Sequence, residues 1–85
     1  SVSKLKVGDI FKIQNPMNFT NGCSTDVFAV IKLWGKRQYI GIKDRHIFLL
    51  KRTCISNMDV EKVIGHNDDI TNMDHFCEYL EKPLY

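Results

Sequence analysis

The stretch from Val27 to Arg52 leaves the chain little freedom. Three runs rich in β-branched and aromatic residues, Val27 to Trp34, Arg37 to Lys43 and His46 to Arg52, are separated only by Gly35-Lys36 and Asp44-Arg45. Such runs read as strands, and strands joined by two residues read as hairpins. Gly at the first central position of Gly35-Lys36 predicts a type II′ turn. That turn sets Trp34 opposite Arg37, Lys32 opposite Tyr39, Val30 opposite Gly41 and Phe28 opposite Lys43. Side chains alternate across a strand, so one face collects Val27, Ala29, Ile31 and Leu33 with Gln38, Ile40 and Ile42. Pairing Lys43 with His46 continues that face, with Ile42 beside Ile47 and Ile40 beside Leu49. Two separate turns therefore select the same apolar side. Arg45 fits the second central position of a type I′ turn poorly, which leaves a longer second connection open.

The opposite side has two zones. Phe28, Val30, Phe48 and Leu50 are apolar and need cover, from the first strand or from the end of the chain. Lys32, Trp34, Lys36, Arg37, Tyr39 and Arg52 gather toward the first turn, with Lys43 and Arg45 further along the ribbon.

Outside the ribbon, Val7 to Ile13 reads as a first strand, and Asn15-Pro16 through Gly22 as a loop rich in turn formers. The last third changes character. Ser56-Asn57-Met58-Asp59 and Thr71-Asn72-Met73-Asp74 each place a hydroxyl residue three positions before an acid, a variant of the capping box. The first predicts a short helix to Ile64 ended by Gly65; alternation of Val60, Lys62 and Ile64 supports a fifth strand instead. The second predicts a helix over 72–82, with Met73, Phe76, Cys77 and Leu80 on one face and Pro83 limiting it. The expected fold is α+β: a small curved antiparallel sheet, or an SH3-like barrel of four or five strands, with one or two short C-terminal helices. It is a single domain over 1–85, β-rich and basic over 5–55, acidic and mostly helical over 56–85.

Charge is divided in the same way. Residues 1–52 hold ten Lys/Arg against three acids, a net +7, and residues 53–85 hold two Lys against seven acids, a net −5. A basic half with interleaved rings suits a polyanion. Arg and Lys attract phosphates, and Trp34 and Tyr39 offer flat surfaces to unstacked bases. The leading expectation is non-catalytic binding of RNA or single-stranded DNA. Lys32, Trp34, Lys36, Arg37, Tyr39, Lys43, Arg45 and Arg52 are its candidate residues, with Trp34 and Tyr39 as stackers. Against it stands the ordinary solvated face of an antiparallel sheet, or an internal pairing in which the acidic end folds over the cations. The alternative function is a protein-interaction module, such as an inhibitor that occupies a host protein through a sheet edge or the acidic helix. A homodimer is compatible with either, because a chain of 85 residues has a thin core.

Other chemistry is poorly represented. Cys23, Cys54 and Cys77 form no CxxC pair and no disulfide framework, so reduced thiols in a cytoplasmic setting are expected. His46, His66 and His75 lack metal-ligand spacing, and His66 and His75 read as surface groups. Asp68-Asp69 reads as a capping pair in a loop. No Gly-rich phosphate loop is present. The expectation is therefore no enzyme, no metal and no cofactor. No apolar run reaches membrane-spanning length, and no signal peptide is visible at a start that lacks an initiator Met.

The opening Leu5-Lys6-Val7-Gly8-Asp9-Ile10-Phe11-Lys12-Ile13 resembles the first strand of SH3-like small β-barrels, and the meander to Arg52 fits the same plan. The resemblance covers residues 5–64 at the level of pattern. The KOW-type subgroup of these barrels binds RNA, but its Gly spacing is absent here, so none of its binding residues is carried over. The chain also looks like the compact accessory proteins of large bacteriophages, which implies a protein that acts by binding.

Overall fold

The computed structural model describes residues 4–20, 22–49, 60–71, 73 and 76–85. Five antiparallel strands run through them: β1 (Asp9–Asn18), β2 (Ser24–Leu33), β3 (Lys36–Lys43), β4 (His46–Leu49) and β5 (Val60–His66). They form one open sheet in the order β4-β3-β2-β1-β5, so the meander is extended on its far side by β5 pairing back onto β1.

Alternation settles which residues lie inside. One core joins Ile10, Ala29, Ile31, Leu33, Ile40, Ile42 and Ile47, the ribbon face expected to be apolar, and Gln38 is buried beside it. The other side is also filled. Phe28 and Val30 are sealed by Phe11 and Ile13 of β1 and by Leu5. The Phe11 ring lies 6.1 Å from that of Phe28 and 6.1 Å, edge-on, from that of Tyr39 two strands away. Phe19 links Phe28 to Phe48, at 6.3 and 5.7 Å. Aromatic pairs of this kind add about 0.5–1.5 kcal/mol each beyond simple burial.

The register departs from expectation. The first turn is Trp34-Gly35, with both residues at positive φ (52° and 75°) as a type I′ turn requires, and Leu33 pairs with Lys36. Lys32 therefore faces Arg37, Val30 faces Tyr39 and Phe28 faces Gly41. Moving a turn by one residue shifts each pairing by two, so the same side chains stay inside and alternation cannot tell the two registers apart. The second turn is the short one, Asp44-Arg45 at φ 53° and 69°, despite the poor fit of Arg. Ile42 pairs with Ile47 as expected, but an irregularity then sets Leu49 against Gly41 rather than Ile40. β1 runs on to Asn18 through the expected loop, with Pro16 where its register against β2 slips, a place that tolerates a missing N–H.

The helical expectation is overturned. Val60–His66 is a strand, and residues 57–59 lie outside the described ones. The described residues contain no α-helix: the C-terminal third has 3-10 turns at Asp68–Thr71 and Phe76–Glu78. The fold is thus mostly antiparallel sheet, neither α+β nor a hydrogen-bonded closed barrel. Asn, Asp, His, Phe, Cys and Tyr crowd 72–82, all weak helix formers, and a helix of that length is marginal without a buried stripe. The stripe is not used as such: Met73 is buried, while Cys77 and Leu80 are exposed.

Instead the tail packs as extended chain over the first core. Leu84, 2% exposed, donates its N–H to the Arg45 carbonyl (2.8 Å) and receives the Asn67 side-chain amide on its own carbonyl (3.1 Å). Arg45 leads into β4 and Asn67 follows β5, so one residue bridges the two outer strands of the open sheet. Tyr85 repeats the bridge. It lies against Gly65, where an added Cβ would sit 3.2 Å from the Tyr85 Cβ, and under the Arg45 guanidinium at 5.4 Å.

Candidate nucleic-acid interface

At their hairpin end, β2 and β3 run on past β1 and β4. β1 meets β2 no further along than the Gly8 N–H on the Val30 carbonyl, and β4 pairs only with Gly41 to Lys43. The paired residues 31–38 therefore form a two-stranded arm. Its underside, Ile31, Leu33 and Gln38, is buried, and the Met73 N–H braces it by donating to the Lys32 carbonyl at 2.9 Å. Its outer side bears Lys32 directly across from Arg37.

Trp34 stands at the tip, 73% exposed, with left-handed backbone. A bulky residue at positive φ is a conformational outlier, and Gly35 beside it opens onto empty space. Lys32 and Arg37, directly across the ladder from one another, place two cations within three residues of Trp34. Arg37 lies over the Tyr39 ring at 5.5 Å, and Tyr39 itself is half-buried against Phe11.

The eight candidate residues do not form one surface. Lys32, Trp34, Arg37 and the edge of Tyr39 come together on the arm, with exposed Lys36 beside the turn. Lys43 is exposed on the same side but at the other end of β3, paired with His46. Arg45 is turned to the opposite side by Tyr85. Arg52 lies outside the described residues. The sheet face between these groups is filled by Phe28 and Val30, so the available surface is the arm rather than an open platform.

The acidic tail lies on the other side. Tyr79, Leu84 and Tyr85 pack on the core that contains Ile40, Ile42 and Ile47. Among the described residues, no carboxylate reaches ion-pair distance of Lys32, Lys36 or Lys43; the ion pairs are Lys12 with Asp26 at 3.8 Å and His66 with Asp9 and Asp68.

Comparison with known proteins adds no relative: no protein family, curated protein or solved structure matches the chain.

His66 is exposed, as the sequence suggests, but it is not alone at the surface. Its ring nitrogens both sit 2.6 Å from carboxylate oxygens, Nδ1 from Asp9 and Nε2 from Asp68. Asp9 and His66 are 57 positions apart, so no linear spacing could have flagged them. Asp68-Asp69 does begin a 3-10 turn, with the Asp69 N–H on the Asn67 side chain. An open pocket of about 250 Å³ lies by the tail, lined by Asn67, Asp69, Glu78, Tyr79, Lys82 and Pro83. Burial, helped by the Asp69 and Glu78 charges, raises the Tyr79 phenol above its ordinary value, and its O–H donates to the Asp69 carbonyl. Among the described residues, no group of three His, Cys, Asp or Glu side chains could hold a metal ion, and no disulfide joins Cys23 and Cys77. No described helix is long and apolar enough to cross a membrane.

Proposed function

We propose that the chain binds single-stranded RNA or DNA through the β2–β3 arm, with Trp34 stacking on a base and Lys32, Lys36 and Arg37 contacting phosphates. The observation that carries this reading is Trp34 itself: a bulky ring in left-handed backbone, largely exposed, at the tip of a cationic hairpin. Local choices that work against the fold concentrate where a ligand is to be met. A stacked base would offset the cost of the left-handed backbone at Trp34, and a bound phosphate would be drawn by the adjacent cations. Tyr39 keeps Arg37 extended along the arm, as a secondary contact rather than a free stacking platform.

The chain has one Trp, so its fluorescence reports the tip alone. Titration with a short oligouridylate at low salt should quench it. With about three phosphates engaged, the logarithm of the binding constant should fall against the logarithm of salt with a slope of about −2. Trp34→Ala, followed by fluorescence anisotropy of a labelled oligonucleotide, should weaken binding roughly 5- to 150-fold, the equivalent of about 1–3 kcal/mol per stacked base. Unchanged affinity in Trp34→Ala combined with Arg37→Glu would discard the arm as the site. Trp and Arg also anchor protein interfaces, so a chain that ignores oligonucleotides and captures a nuclease-resistant partner through the same tip supports the interaction-module reading instead.

A further inference from the structure

We propose that His66, held between Asp9 and Asp68, is a pH-sensitive latch on this arm: charged, it fixes the turn that braces β2, and on losing a proton it lets that brace loosen. The inference rests on the reading of the arm as the binding site.

A neutral imidazole has one N–H and one lone pair, so it can donate to only one carboxylate. Here both nitrogens are 2.6 Å from carboxylate oxygens, an arrangement only the imidazolium satisfies. Removing one proton turns a lone pair toward a carboxylate at that distance. The two carboxylates are not equally held. Asp9 is enclosed, with its side chain 15% exposed, and its other oxygen accepts the Lys6 N–H at 2.9 Å. Asp68 is 89% exposed, so it is the partner that lets go. The site is fitted to the ring: a Cβ on Gly8, at φ 101°, would sit 2.9 Å from the His66 Cε1.

Asp68 opens the 3-10 turn Asp68–Thr71, which carries Ile70 fully buried into the core shared with Ile31 and Leu33. From there the chain reaches Met73, whose N–H holds the Lys32 carbonyl at the root of the arm. Ile70 and Met73 thus both join the latch side to the core under the arm.

The charges facing the latch give it a sign. The hydrogen bonds that the His66 ring donates to Asp9 and then to Asp68 raise it above its ordinary 6.5, against desolvation. Its contribution is therefore complete below 6.5 and fades as pH rises through the raised value. Burial raises the Asp9 carboxyl, but the Lys6 N–H, the His66 hydrogen bond and the nearby His66 and Lys6 charges outweigh it, leaving Asp9 below 3.8. Its contribution is complete above 3.8 and fades only as pH falls through the lowered value. The latch is closed between these limits and opens on the alkaline side.

The test follows amide exchange at Met73 from about pH 5 to 9, with intrinsic rates divided out. Oligouridylate affinity is read from Trp34 quenching in the same buffers. In the unaltered chain, Met73 protection should fall across the His66 titration, by up to about tenfold for each pH unit by which His66 titrates above 6.5. Affinity should fall over the same interval. In His66→Gln both responses should vanish, with His46 and His75 still present as internal controls. In Asp68→Asn the transition should move to lower pH. Met73 protection that is flat with pH, or that responds equally in His66→Gln, overturns the latch. A response at Met73 with affinity unmoved overturns its link to the arm. Absence of oligonucleotide binding at every pH overturns the preceding functional reading and the regulatory role with it, while Met73 exchange still decides whether the latch exists.

Discussion

The two hairpin turns share a backbone and differ in everything around it. Trp34-Gly35 and Asp44-Arg45 both run at positive φ, which costs about 1–2 kcal/mol for an ordinary residue. At the second turn the protein offsets that cost itself. A His46 ring nitrogen bonds the Asp44 carbonyl at 2.7 Å, Leu84 bonds the Arg45 carbonyl, and the Arg45 guanidinium covers Tyr85. At the first turn no hydrogen bond or ring pairing among the described residues ties the indole down, and it stands in solvent. Unfavourable backbone that is answered by internal contacts belongs to the architecture. Unfavourable backbone whose side chain stands in solvent, beside Lys32 and Arg37, is what sets the proposed binding arm apart from the rest of the fold.

The comparison breaks most visibly at its anchored end. Leu84→Ala removes the buried side chain that seats the backbone bridge between the two outer strands, and should cost about 2–5 kcal/mol of unfolding free energy in a urea titration, with little change in affinity for oligouridylate. The other end should respond in the reverse sense. Trp34→Asn places the residue pair preferred for a type I′ turn, and should raise stability by about 0.5–1 kcal/mol while binding weakens as in Trp34→Ala. A stability loss on that substitution would mean that the indole supports the fold after all. The smallest effect is expected for Arg45→Gly. Relief of left-handed backbone is set against a lost cation–π contact of about 0.5–1 kcal/mol, so thermal melting should show little net change and affinity should stay as it was.

What the sequence disclosed follows from periodicity. Period-two alternation placed Ala29, Ile31, Leu33, Gln38, Ile40, Ile42 and Ile47 on one face, and all are buried, because that assignment is insensitive to where the first turn sits by one residue. The same insensitivity hid the register, and with it the Lys32–Arg37 pairing. Val60–His66 was ambiguous because its alternation competes with a helix-start signal, and pairing with β1 decided it. The tail misled most. Met73 and Leu80 have helical spacing, but only Met73 is buried, and the real anchor, Leu84, follows a Pro that ends any helical pattern. Of the site, the cations and Trp34 were legible as types. Their separation was not, because the turning of Arg45 toward Tyr85 depends on a contact 40 residues along the chain.

The order of synthesis decides when the bridge at residue 84 can form. A polypeptide leaves the ribosome N-terminus first, so all four strands of the meander can pair while residue 84 is still inside the exit tunnel. Through that interval β4 lacks the residue that ties it to β5, and the long loop back to Arg45 is still to be closed. The nascent chain thus passes through a stage with β1 to β4 paired and the edges of β1 and β4 unguarded, open to annealing with a neighbouring chain on the same messenger.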